Sequence, residues 1–152
     1  MRIAVLFYGQ PRFLDITKRL IKEEFEFLDH TTDYFAHFWE NIGFTPECTE
    51  EKIKDDISTT LSDYFSVKKY KIQNNNIIDN ISNSFKTIYE LLKRETNENF
   101  PVSTVFEEIK YKFSQHYSLE QAFELMKQYE EEHNFKYDMV IKARTDIVYS
   151  IP

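Results

Sequence analysis

Gly9-Gln10-Pro11-Arg12 follows a run of apolar residues and precedes an amphipathic one. Glycine lets backbone approach a ligand closely, and the first turn of a following helix offers free N–H groups. Arg12 adds a guanidinium fork suited to phosphate. The same residues also read as an ordinary strand-to-helix turn with a surface arginine. Far along the chain, Arg144 and Asp146 stand two apart at the end of Tyr137-Asp138-Met139-Val140-Ile141-Lys142-Ala143. In a strand that spacing puts both side chains on one face, at the carboxyl end where α/β sheets bind ligands. The bland alternative is a strand-end ion pair. Trp39 closes another apolar run; its ring could stack on a base or ribose, or fill the core.

These residues need elements to position them. Arg2 to Tyr8 is a near-continuous apolar run, as in a strand buried on both faces. Pro11 suits a loop or a first helical turn. Apolar residues from Phe13 to Leu28 then fit one face of a helix, opposite Lys18, Lys22, Glu23 and Glu26. Asp33 to Trp39 predicts a second parallel strand. Asn41 to Cys48 reads as a loop, and a helix follows with Ile53, Ile57, Leu61 and Phe65 at helical spacing. Val67 to Ile72 alternates loosely and fits a third strand, and Ile77 to Arg94 a further helix. Val102 to Tyr111 is open between helix and irregular chain. Ser118 then reads as the N-cap of a helix that Asn134 closes. Tyr137 to Ala143 is apolar on both faces until its last residues, which predicts a central strand. The alternation of strands and helices predicts an α/β fold with a parallel sheet and helices on both faces.

Composition narrows the partners. The 152 residues make one domain with enough chain for a real core. A net charge of −7 argues against duplex nucleic acid and anionic membrane, and the 14 Phe and 10 Tyr argue against disorder. No stretch approaches the apolar length of a membrane span, and Ile3 to Tyr8 is too short for a signal peptide. Cys48 is the only cysteine, so no internal disulfide or cysteine zinc site forms. A reducing, cytoplasmic location is expected. The histidines are dispersed without metal-ligand spacing. G-x-x-x-x-G-K and G-x-G-x-x-G are absent, as is any nucleophilic Ser-His-Asp arrangement.

Four pieces carry a resemblance. They are Ile3 to Arg12 with its G-Q-P-R, Ala36-His37-Phe38-Trp39, Ser114 to Ala122, and Tyr137 to Asp146. Together they resemble GT-A-type glycosyltransferase-like proteins, which begin with a strand and G-Q-P-R and later carry Y-D-x-V-I-[RK]-x-R-x-D. The resemblance implies a Rossmann-like nucleotide-sugar domain. Its donor-binding set would be Tyr8, Gly9, Gln10, Arg12, Trp39, Arg144 and Asp146. The implied ligands are a nucleoside-diphosphate sugar and a glycan or other hydroxyl acceptor.

Arg144-Thr145-Asp146 stands where the family carries its acidic D-x-D motif. Asp146 is therefore the candidate ligand for a diphosphate-bound Mg²⁺ or Mn²⁺. Arg144 replaces the first acidic position and could neutralise the departing diphosphate itself. GT-A enzymes continue past this motif with strands that bind the acceptor. The chain is thus expected to be the nucleotide-sugar half, a fragment or a domain with its acceptor side elsewhere. Ser114 or Gln115 could touch sugar hydroxyls; a solvated loop is the alternative.

Overall fold

The computed structural model describes residues 1–11, 14–26, 30–40, 57–74, 76–96 and 102–145. Its elements are β1 (Arg2–Gly9), α1 (Leu14–Phe25), β2 (Thr31–Trp39), a π-helical turn (Thr60–Tyr64), β3 (Lys69–Gln73), α2 (Asn76–Thr96), α3 (Val102–His133) and β4 (Met139–Ala143). The four strands form one parallel sheet in the order β3-β2-β1-β4. Ile3 aligns with Thr32 on one side and with Met139 on the other.

The apolar run of β1 is buried on both faces because each face has its own cover. Ile3, Val5 and Phe7 meet Tyr34, Ala36 and Phe38 of β2 under Leu14, Ile21 and Phe25 of α1, with Leu61 and Phe65 from the π-helical turn. Ala4, Leu6 and Phe35 face Ala122 and Met126 of α3. Ala4 and Ala122 are wholly buried, and the absence of larger side chains there lets helix and sheet approach closely. Burying a side chain such as Phe7 or Phe35 contributes about 2–3 kcal/mol. The result is an α/β fold with helices on both faces, compatible with a Rossmann-like arrangement.

Four details differ from the sequence expectations. The buried stripe of α1 is Leu14, Thr17, Ile21 and Phe25, while Leu20 is exposed. α3 is one continuous helix from Val102, so Ser118 lies in its middle and caps nothing. The serine resembled a cap because its hydroxyl has partners that the sequence hides, described below. β4, expected to be central, is the outer strand of the described sheet, and Met139 and Val140 are exposed. Glu130, the first of three consecutive glutamates whose charge alone reads as a solvated helix end, is buried. Asn134 does close α3. It takes φ 52°, its N–H reaches the Glu131 carbonyl and that of Phe135 reaches Glu130, a Schellman end with asparagine in the left-handed position. The loop at 41–48 and the helix residues before Ile57 lie outside the described residues.

Candidate functional site

The order of the strands locates a site before any side chain does. From β1 the chain builds outward through β2 to β3, then returns to the opposite side of β1 for β4. Strand order reverses between β1 and β4, and a crevice at the carboxyl ends of such a pair is where open α/β sheets bind ligands.

A cleft lies there. Tyr8, Gly9 and Gln10 line it from the end of β1, Trp39 from the end of β2 and Arg144 from just beyond β4. Tyr111, Ser114 and Gln115 of α3 complete the wall. Five of the seven residues expected to bind a donor therefore come together. Arg12 and Asp146 lie outside the described residues, as does Cys48. Ser114 and Gln115 were expected near a ligand or in a solvated loop; they sit on a helix facing the cleft. Tyr111 falls where the sequence was least legible, and its hydroxyl accepts from Arg144 Nη1 at 3.5 Å. The cavity is about 100 Å³, the size of a phosphate group or a single ring.

Its floor is held by two polar knots. In the first, Ser118 Oγ accepts from the Gly9 N–H at 2.7 Å. The same oxygen is 2.9 Å from the His37 carbonyl and 2.8 Å from His37 Nδ1. Its single proton serves one of those two, and the ring tautomer follows that choice. His37 Nε2 faces Gln73 Oε1 at 3.2 Å, so the fully buried ring joins α3, β2 and β3. Burial pushes the His37 pKa down to about 4, with the Gln73 hydrogen bond opposing, so the ring is neutral near pH 7.

In the second knot, Thr145 is 1% exposed. Its hydroxyl donates to the Gln10 carbonyl at 3.2 Å, and its own carbonyl accepts from the Thr17 hydroxyl at 2.7 Å. The threonine between Arg144 and Asp146 thus clamps β4 to β1 and α1. Ser118 and Thr145 both lie within the motif pieces, but their roles could not be read there, because both act through contacts distant in sequence.

Gly9 adopts φ +96°, and a β-carbon built there would meet no atom within 4 Å. Glycine is thus needed for the backbone angle and not for lack of room. Trp39 is 1% exposed, with Tyr117 stacked on it at 5.6 Å between ring centroids and His37 edge-on at 5.1 Å. It lines the cleft as part of the core, and a base could stack on the face that Tyr117 covers only by displacing that ring. The Trp39 indole N–H is buried with no hydrogen-bond partner among the described residues.

Arg144 is the only charged side chain among the described lining residues. No group of three His, Cys, Asp or Glu could hold a metal among the described residues. Among the described lining residues, neutral oxygens beside a guanidinium do not by themselves fit Mg²⁺ or Mn²⁺; Asp146, the ligand that the resemblance implies, lies outside the described residues, and nothing below is routed through a metal. His30, His116 and His133 are exposed. No described helix is long and apolar enough to cross a membrane.

Comparison with family models, with curated proteins and with solved structures finds no match in any of the three.

Proposed function

We propose that this chain is a GT-A-like glycosyltransferase domain that holds a nucleoside-diphosphate sugar at the switch-point cleft. The observation carrying this reading is that Tyr8, Gly9, Gln10, Trp39 and Arg144, drawn from separate parts of the sequence, line one cavity. Arg144 supplies the positive charge that a diphosphate calls for. Tyr111, Ser114 and Gln115 supply neutral groups suited to hydroxyls. The cavity takes the phosphate or one ring, and the rest of the donor extends outward from it.

In transfer, the bond from the anomeric carbon to the diphosphate breaks with its electron pair on the leaving oxygen. The oxygen of a glycan or other hydroxyl acceptor forms the new bond to that carbon and releases its proton to solvent water. Arg144 lowers the barrier by stabilising charge as it builds on the diphosphate. The Mg²⁺ or Mn²⁺ implied through Asp146 is not required for this role.

Calorimetric titration of UDP- and GDP-sugars, with Mn²⁺ and with chelator, tests the reading. Binding of at least one donor in both conditions is expected; no heat from any donor in either would end it. If Asp146→Ala weakens binding with Mn²⁺ much more than with chelator, the metal returns to the account.

One observation favours a second reading, a non-catalytic nucleotide- or sugar-binding module on the same scaffold. The described lining contains no carboxylate to serve as a base. Donor binding with neither transfer nor hydrolysis would select the module.

A further inference from the structure

The fully buried His37 ring does not itself line the cleft at Arg144, but it is joined to two residues that do. Ser118 Oγ links it to the Gly9 N–H, and Trp39 lies against its edge. Three contacts meet at the ring. Ser118 Oγ stands 2.9 Å from the His37 carbonyl and 2.8 Å from Nδ1, and Gln73 Oε1 stands 3.2 Å from Nε2.

A neutral ring does not suit all three. The serine oxygen accepts from Gly9 and has one proton to give. With Nε2 protonated, that proton serves the carbonyl or Nδ1 and leaves the other unserved. With Nδ1 protonated, Nε2 turns a lone pair on the Gln73 oxygen. Only a reversed Gln73 amide would relieve that, and Tyr117, whose hydroxyl accepts from Gln73 at 3.4 Å, would then have to donate. The doubly protonated ring makes every contact at once, with Ser118 donating to the carbonyl and Gln73 left as it stands.

The surroundings withhold that second proton. Burial opposes it most; the Gln73 hydrogen bond favours it, and the Lys71 ammonium opposes it again. Strand register sets Tyr8 of β1 and Lys71 of β3 on either side of His37, while α3 covers it with Tyr117 and Ser118. None of these neighbours is a carboxylate. The hydrogen-bonding cage of an imidazolium is present without a negative charge to match it, and a diphosphate in the cleft brings one. Little but Gly9 and Trp39 stands between, and a packed wall screens charge far less than water does.

We infer that, on the nucleotide-sugar reading of the cleft, His37 takes up a proton from solvent when the donor binds and becomes a second cation for its diphosphate, with Arg144. Binding then favours the protonated ring, so donor affinity rises as pH falls toward the titration of the free ring.

Sugar nucleotides suit the test, because their diphosphate stays ionised in mild acid and a proton taken up must go to the protein. Calorimetry of UDP-glucose and GDP-mannose with the full chain at about pH 5, in buffers of different ionisation enthalpy, counts it. If the His37 pKa moves up one unit from about 4, uptake is about 0.4 proton per donor. NMR titration of the ring, assigned by its loss in His37→Gln, should show that upward move at saturating donor. His37→Gln should bind with no uptake. Lys71→Met should raise the ring's titration before any donor is added, with circular dichroism unchanged. Equal uptake in His37→Gln, or a ring titration that bound donor leaves in place, would overturn the inference while donor binding stood. No heat from either donor in any buffer would end the nucleotide-sugar reading, and this inference with it.

Discussion

The two ends of the sheet are built on different rules. At the amino end, the chain's own polar groups engage one another. Tyr137 donates to Asp33 at 2.8 Å, and Lys68 approaches the other oxygen of that buried carboxylate at 3.4 Å. Asp138 takes the Arg2 N–H at 2.7 Å and returns its own N–H to the Arg2 carbonyl. Glu130 receives the Tyr137 N–H and the Lys136 ammonium, each at 2.8 Å, and Arg2 lies over the Phe135 ring. At the carboxyl end there is a cavity, a glycine with open space beside it, an indole N–H without a partner among the described residues and a cation on the rim. Tyr137-Asp138 and Arg144 belong to one sequence motif, yet the first two anchor the strand and the last faces the cleft. The motif thus joins a structural half to a half available for ligand.

That division has a pH signature. The His37 pKa is about 4 in the fold against 6.5 in the unfolded chain. The unfolded state therefore takes up the proton first. Stability from the neutral ring is complete above pH 6.5, declines as pH falls, and is lost by about pH 4. At about 1.4 kcal/mol per pH unit the loss amounts to about 3 kcal/mol. Glu130 behaves differently. Burial raises its pKa, but Lys136 and the Tyr137 N–H more than offset that and hold it below the ordinary 4.5. Its contribution is complete above pH 4.5 and is lost only at lower pH. Chemical denaturation of wild type and His37→Gln across pH 7 to 4 should show a gap that narrows as pH falls. A constant gap would mean that the ring is not buried neutral.

Ser118→Ala comes next in size. It leaves the Gly9 N–H and a His37 nitrogen without their partner, at a cost of about 2 kcal/mol in unfolding free energy. Ser118→Thr keeps the hydroxyl and should retain more of that stability than alanine does. Arg144→Gln is expected to cost about tenfold in donor affinity, or about 1.4 kcal/mol, with little change in Tm. Equal donor binding by wild type and Arg144→Gln would take the diphosphate away from this end of the sheet.

Much of this arrangement was legible in the sequence, for physical reasons that vary by element. β1 and β2 announced themselves because burial on both faces demands unbroken apolar runs. The end of α3 was legible because Asn134 sits at a turn that needs a left-handed residue. Gly9, Gln10 and Arg144 could be named because parallel strands leave ligand-facing residues at their carboxyl ends. The roles of Ser118 and His37 could not be read, since a mid-helix serine bonded to another strand looks like a cap when its partner is unseen. The outer position of β4 in the described sheet could not be read, because an apolar edge strand and a central strand have the same composition. Only the neighbours differ, and neighbours are a property of topology.

The smallest expected effect separates the two ends most cleanly. Tyr137→Phe removes one hydroxyl from a buried carboxylate that retains Lys68, and about 1 kcal/mol of stability should go with it. Tyr137 lies before the first residue of β4 and Arg144 just after the last, so the strand's full length separates them. A fault confined to the base should therefore lower Tm by a few degrees and leave donor affinity unchanged. Titrating the same UDP- and GDP-sugars into this variant, below its melting transition, measures whether that confinement holds. If affinity falls in proportion to stability, the cleft is held by the whole sheet, and the knots at Ser118 and Thr145 do not suffice to set its shape.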